Sequence, residues 1–239
     1  LWSSSQDTGT HQPYPHGRTI HHGDGFITGA CFIHLMGTQL STFSVQAFWE
    51  MPLVVIMRGF PTETAKSLTR ALSHGGLKTI EVTMNTPDAP EQIRQIIEQH
   101  EGEDIQIGAG TVTHPKILER ALDAGASFIV TPHWNDAVIA QCQSSKIPFL
   151  PGCMTPTEIW SAHEAGALAA KVFPAESLGP KYIQSIKAPL PQVRLAPTGG
   201  VTIERMKAYW LAGADAFGIC LDIFITRCRV YRIFMILSK

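Results

Sequence analysis

From residue 48 to residue 221 the chain alternates short apolar runs with stretches whose apolar residues recur every three or four positions. The runs fall at 53–58, 79–84, 106–112, 128–132, 149–154, 169–174, 194–197 and 215–221. They have the length of strands and are bounded by turn residues. Between them lie helical faces. Ala65, Leu68, Ala71 and Leu72 form one, Ile93, Ile96 and Ile97 another, and Ile117, Leu118, Ala121 and Leu122 a third. Thr155-Pro156-Thr157-Glu158 reads as an N-cap threonine, a proline in the first turn and a capping-box glutamate. Thr86-Pro87 offers the same start. Gly75-Gly76-Leu77, Ala124-Gly125-Ala126, Ala165-Gly166-Ala167 and Ala212-Gly213-Ala214 place a glycine where a helix closes in a left-handed residue before a strand. Eight strands alternating with helices predict an α/β fold, the (β/α)8 TIM barrel, with a doubly wound open sheet as the alternative.

The two ends do not share this rhythm. Residues 1–47 are rich in Ser, Thr, Gly and His without a sustained period, and are expected to form an atypical, disordered extension. His11, His16, His21, His22 and His34 lie there at spacings that fit no usual metal site. Residues 222–239 form an atypical tail where the eighth helix belongs, so that helix is expected to be poorly formed or missing. The barrel domain is therefore assigned to 48–221.

Composition narrows the function classes. Of 239 residues, 44% are hydrophobic and 16% charged, enough for a large core. The net charge of −1, with no basic stripe, argues against a nucleic-acid partner. The five cysteines are scattered without a CxxC, so no disulfide framework or metal site is expected, and the reading is of a reduced, cytoplasmic protein. No apolar run is long enough for a bilayer; the nearest, 26–40, is interrupted by His34 and Gln39. No basic segment leads into an apolar one at the N-terminus, so no secretory signal is expected.

Two charged residues stand inside apolar runs. Lys171 lies in Ala169-Ala170-Lys171-Val172-Phe173-Pro174. A buried lysine is disfavoured as a cation, and its neutral amine is a nucleophile towards carbonyls. The alternative is an edge-strand lysine that reaches water. Glu81, in Ile80-Glu81-Val82-Thr83, shares a face with Thr83 by strand alternation. If that face is the interior, Glu81 and Lys171 reach one cavity, either as a catalytic pair or as a structural ion pair. Gly108-Ala109-Gly110-Thr111 offers space and a hydroxyl. Pro197-Thr198-Gly199-Gly200-Val201 precedes a helix, where backbone N–H groups suit an anion.

In this order, the motifs at 80–83, 108–112, 151–158, 171–176 and 197–201 resemble the KDPG/KHG aldolases, class I aldolases that act on 2-keto-3-deoxy-6-phosphosugar acids. The resemblance implies a (β/α)8 barrel, a homotrimer, no cofactor or metal, and a phosphorylated keto-acid substrate cleaved to pyruvate and glyceraldehyde 3-phosphate. It implies Lys171 as the Schiff-base lysine and Glu81 as general acid/base. Thr111, Pro132, Phe173, Thr198, Gly199 and Gly200 match substrate-binding positions. Arg58 together with Asn85 is most similar to the 2-keto-3-deoxy-6-phosphogalactonate aldolases, with Arg58 placed for a carboxylate. One departure stands out. The family's Gly-Ser after the eighth strand is Cys220-Leu221 here, and Leu221 is expected to bring apolar bulk towards the phosphate. A catalytically impaired barrel is the alternative, and another phosphate-binding barrel, a thiamin-phosphate synthase relative, is a third reading.

Overall fold

The computed structural model describes residues 43–221. Each apolar run carries a strand: β1 (Leu53–Met57), β2 (Thr79–Thr83), β3 (Gln106–Gly110), β4 (Ile129–Val130), β5 (Phe149–Leu150) and β6 (Gly152–Cys153), β7 (Ala170–Val172), β8 (Leu195–Pro197) and β9 (Phe217–Cys220). The fifth run is split by Pro151, which has no N–H for the ladder. Pro151 still accepts from the Lys171 N–H at 2.9 Å.

All strand pairings among the described residues are parallel. One sheet runs β5-β4-β3-β2-β1-β9 and the other β6-β7-β8. The sheets meet at Pro151 and again where Thr198 bridges Gly218. At that second seam the Asp215 and Ala216 N–H groups both donate to the Leu195 carbonyl. The result is a curled parallel sheet in which the first described strand pairs with the last described one. A doubly wound sheet keeps free edges and a reversal of strand order, so that alternative fails.

Helices α2 (Thr62–His74), α3 (Ala89–Gln99), α4 (Pro115–Asp123), α5 (Asp136–Ser144), α6 (Pro156–Glu164), α7 (Ala175–Lys187) and α8 (Ile203–Leu211) fill the crossovers. Parallel strands need such connections. The predicted caps hold at Thr155, whose hydroxyl accepts from the Glu158 N–H while the Glu158 carboxylate accepts from the Thr155 N–H. They fail at Thr86: α3 is entered through Asp88, and the Thr86 hydroxyl instead accepts from the Gly59 N–H at 3.0 Å. The exit glycines behave as expected, with φ of 80, 91, 77 and 102° at Gly76, Gly125, Gly166 and Gly213.

Strand alternation sorts side chains into two layers. Val55, Met57, Ile80, Val82 and Val172 pack outward against Ala65, Ile93, Leu118 and Tyr209 of the helices. Val54, Ile56, Phe128, Val130, Leu150, Ala196 and Ala216 form a separate inner cluster.

That inner cluster also holds Phe48, which is 0% exposed. Phe48 belongs to a short helix, α1 (Val45–Glu50), capped by the Ser44 hydroxyl. Phe43 joins it, 5.3 Å from the Phe128 ring centroid. The Ser44 N–H donates to the Gln106 side chain at 2.7 Å. The expectation of a disordered extension to residue 47 therefore fails over 43–47. One helical turn carrying aromatic knobs has no periodic face to read, yet burying a phenylalanine is worth about 1.5–3 kcal/mol. Residues 1–42 and 222–239, with the expectations placed on the extension and the eighth helix, lie outside the described residues.

Candidate active site

Lys171 is the middle residue of β7, and its register partners are Gly152 and Ala196. Its neighbours Ala170 and Val172 belong to the outer layer, so Lys171 faces inward. Small flanking residues leave it room. The side chain is 6% exposed. Among the described residues Nζ has no hydrogen bond or ion pair, and its recorded contact is the Phe173 ring, 5.2 Å to the centroid.

Glu81 faces the same interior from β2 and is 1% exposed. Its carboxylate occupies the space over Gly110, where a Cβ would overlap Oε1. Gly108 similarly makes way for the Phe128 ring. The Gly-Ala-Gly run thus leaves its space to these two side chains rather than to an empty pocket. Neither carboxylate oxygen of Glu81 has a hydrogen-bond partner in the structure. Glu81 and Lys171 nevertheless line one cavity, with Val54, Ile56, Thr198 and Gly218. Its volume is about 10 Å³, enough for one water-sized group.

The structural ion pair is excluded by this geometry, since no Glu81–Lys171 contact lies within ion-pair distance. Two buried ionisable groups without partners are costly, and such groups cluster at functional sites. Burial pushes the Glu81 carboxyl above its ordinary value, opposed by the charges of Lys171 and Arg58. Burial pulls the Lys171 amine below its ordinary value, opposed mainly by Glu81. Each shift favours the neutral form of its group.

The remaining predicted residues sit around this pair at different distances. Thr198 is 4% exposed, its hydroxyl donating to the Ala196 carbonyl at 3.2 Å and lying against Gly218. Arg58 stands exposed beyond β1 and donates to the Thr111 hydroxyl at 3.5 Å. Thr111 has φ 56°, a left-handed backbone that a β-branched residue adopts only under strain. Pro132 is half-buried after β4, with its backbone against Gly152. Gly199 and Gly200 both have positive φ, 87 and 69°, and Gly199 lies under the Phe173 ring. Asn85 is exposed in the turn after β2, and no contact ties it to Arg58.

Sequence reasoning missed two features of this region. Cys220 was read only as a missing glycine, but its side chain packs against the inner cluster. The alternation from Gly218, which lines the cavity, was the available signal. The second is the Glu176–Arg205 pair, 3.3 Å apart, beside Gly200. The expectation for Leu221 is corrected: it is 3% exposed in the outer layer, so its bulk packs towards the helices and not towards a phosphate.

The protein-family model for KDPG and KHG aldolase matches residues 46–221. The 2-dehydro-3-deoxy-6-phosphogalactonate aldolase of Escherichia coli (strain K12) is 34% identical over 176 residues, covering 73% of this chain and 85% of that protein. The 2-dehydro-3-deoxy-phosphogluconate aldolase of Treponema pallidum (strain Nichols) is 39% identical over 160 residues, covering 66% of this chain and 74% of its own. Among solved structures, the KDPG aldolase of Legionella pneumophila, with pyruvate captured at low pH as a covalent carbinolamine intermediate, superposes with a TM-score of 0.68. It is 28% identical, and the match covers 81% of this chain and 95% of that one.

Proposed function

The chain belongs to the KDPG and KHG aldolase family, and from that premise we propose that it is a Schiff-base aldolase acting on a 2-keto-3-deoxy-6-phosphosugar acid. That the chain is an aldolase, a carbon–carbon lyase, follows from the family itself. The proposal concerns the substrate, the fold's completion as a (β/α)8 barrel, and the residues that act.

In this reading the Lys171 amine attacks the C2 ketone of the substrate. The carbinolamine loses water and becomes a protonated imine. Glu81 takes the C4 hydroxyl proton, directly or through the single water that the cavity accommodates. The C3–C4 bond then breaks, its electron pair passing into the imine as an enamine, and the aldehyde departs. Glu81 returns a proton to C3, and water releases pyruvate from Lys171. Glyceraldehyde 3-phosphate is the other product. Arg58, with Thr111 beside it, takes a carboxylate or hydroxyl of the substrate. Asn85, Pro132 and Phe173 line the approach, and Thr198, Gly199 and Gly200 receive the phosphate end. Arg58 together with Asn85 supports the phosphogalactonate substrate over its gluconate epimer, whereas overall identity, 34% to the one enzyme and 39% to the other, does not separate them. A cytoplasmic homotrimer belongs to the same reading, supported by the family and by the unpaired thiols of Cys142 and Cys153.

The observation that carries the reading is the meeting of an unpartnered Lys171 and an unpartnered Glu81 in one cavity. Borohydride reduction in the presence of pyruvate, followed by peptide mass spectrometry, tests it. An adduct on the Lys171 peptide is expected. Folded protein without an adduct, or with one on another lysine, overturns the assignment.

A further inference from the structure

Thr83, Thr86 and Gln92 are buried polar residues that the aldolase chemistry does not use. Two of them reach the same neighbouring loop, the one that leaves β1. The Thr86 hydroxyl accepts from the Gly59 N–H at 3.0 Å, and the Gln92 side-chain amide donates to the Phe60 carbonyl at 2.9 Å. Thr83, the last residue of β2, backs Thr86 with its own hydroxyl at 3.1 Å. The Thr86 N–H also donates to the Thr83 carbonyl at 2.9 Å, which closes the turn carrying Met84 and Asn85. The end of β2 and the start of α3 thus hold two consecutive residues directly after Arg58. Gly59 turns that loop at φ 72°, and glycine leaves such a corner free to swing. The Arg58 side chain is exposed and, among the described residues, has no ion pair; its recorded hydrogen bond is the one to Thr111 at 3.5 Å. A long side chain held so lightly at its tip takes its direction from the backbone at its base. Buried hydroxyl and amide groups are costly unless hydrogen-bonded, and here the backbone of this loop satisfies them.

We propose that Thr86 and Gln92 are positioning residues for substrate binding: they fix the loop after β1 and so aim Arg58 at the carboxylate or hydroxyl it takes. The inference rests on the aldolase reading and on Arg58 as a substrate-binding group. Hydrogen bonds suit this task because they set direction as well as contact. The Gly59 N–H and the Phe60 carbonyl are each held by one side chain, so the peptide planes on both sides of the glycine corner are fixed. Thr86 also follows Asn85 directly, so one hydroxyl ties the loop of Arg58 to the turn of Asn85 and sets the separation of the two residues.

The test is a double-mutant cycle between Thr86→Val and Arg58→Met in the full chain, read as steady-state cleavage of 2-keto-3-deoxy-6-phosphogalactonate. Thr86→Val keeps the shape and removes the hydroxyl. It should raise KM about tenfold, a fraction of the ~10²-fold that a misplacement of about an ångström can cost, while kcat holds. Thr86→Ser, which restores the hydroxyl, should restore KM. In the Arg58→Met background, Thr86→Val should raise KM no further, because the group it positions is gone. An equal rise in both backgrounds means that Thr86 only supports the fold, and overturns the proposal. An Arg58→Met chain with unaltered KM overturns it as well. Should Thr86→Val not fold by circular dichroism, Gln92→Met is carried through the same cycle with the same outcomes. Pyruvate trapping at Lys171 is scored in every variant. Additive effects with a trapped lysine sink only this inference, whereas an unaltered chain that traps no pyruvate sinks the aldolase reading.

Discussion

Lys187 and Lys171 are both poorly exposed lysines, and the fold treats them in opposite ways. Lys187, at the end of α7, lies 2.8 Å from the Asp215 carboxylate and donates to the Val193 carbonyl at 2.6 Å. Asp215 in turn accepts from the Leu195 N–H at 2.8 Å. This network ties the entry of β8 to the entry of β9. Nearby, the Arg194 guanidinium stacks 4.3 Å over the Trp49 ring. Lys171, further along the same strand direction, has an aromatic face and a distant carboxylate instead. The N-terminal end of the sheet satisfies its charges and closes with Phe48. The interior beyond it leaves two ionisable groups unsatisfied and holds Thr111 in a strained backbone. Partnered charge serves stability. In the proposed reading, buried ionisable groups left unpartnered are the ones kept for chemistry.

The sharpest way to break this contrast is to remove each lysine. Lys171→Ala should lower turnover at least ~10⁴-fold and abolish pyruvate trapping, because among the described residues no other amine faces the cavity. A surviving adduct would show that the two lysines are not distinguished in this way. Glu81→Gln should still trap pyruvate but cleave ~10²–10⁴-fold more slowly, which single-turnover kinetics can separate.

At the other end the readout changes from rate to stability. Phe48→Ala should cost about 3–5 kcal/mol, near a ten-degree fall in Tm, and still trap pyruvate at Lys171. Lys187→Ala should cost about 1–2 kcal/mol, since its pair is partly exposed, and likewise leave trapping intact. Loss of trapping in folded Lys187→Ala protein would erase the division between the two ends.

The smallest effect is a pH dependence. Burial raises the Glu81 pKa above 4.5, so its contribution to stability is full below that value and is lost as pH rises through the folded-state pKa. The Tm advantage of Glu81→Gln over the unaltered chain should therefore widen as pH climbs above 4.5. A difference that stays flat with pH would mean the carboxyl is not held in a dry site.

Much of this site was legible because strand alternation is local. A lysine between Ala170 and Val172, or a glutamate between Ile80 and Val82, declares its face within three residues. The same rule could have placed Cys220 inward and Leu221 outward, had it been applied past Gly218. Thr111 was legible as a hydroxyl, but not as a residue at φ 56°. The Phe48 plug was hidden because a six-residue helix carries too little periodicity.

By itself the sequence determined the order of strands and helices, the exit glycines and which neighbours share a strand face with Lys171 and Glu81. Those depend on residues a few positions apart. Only the tertiary structure decided that the first strand meets the last, that Glu81 and Lys171 share a cavity without pairing, and that Lys187 is tied down. Such distances between β2 and β7, or between α7 and β9, come from curling the whole sheet and packing two layers on it. No short-range pattern encodes a separation that every strand between them helps to set.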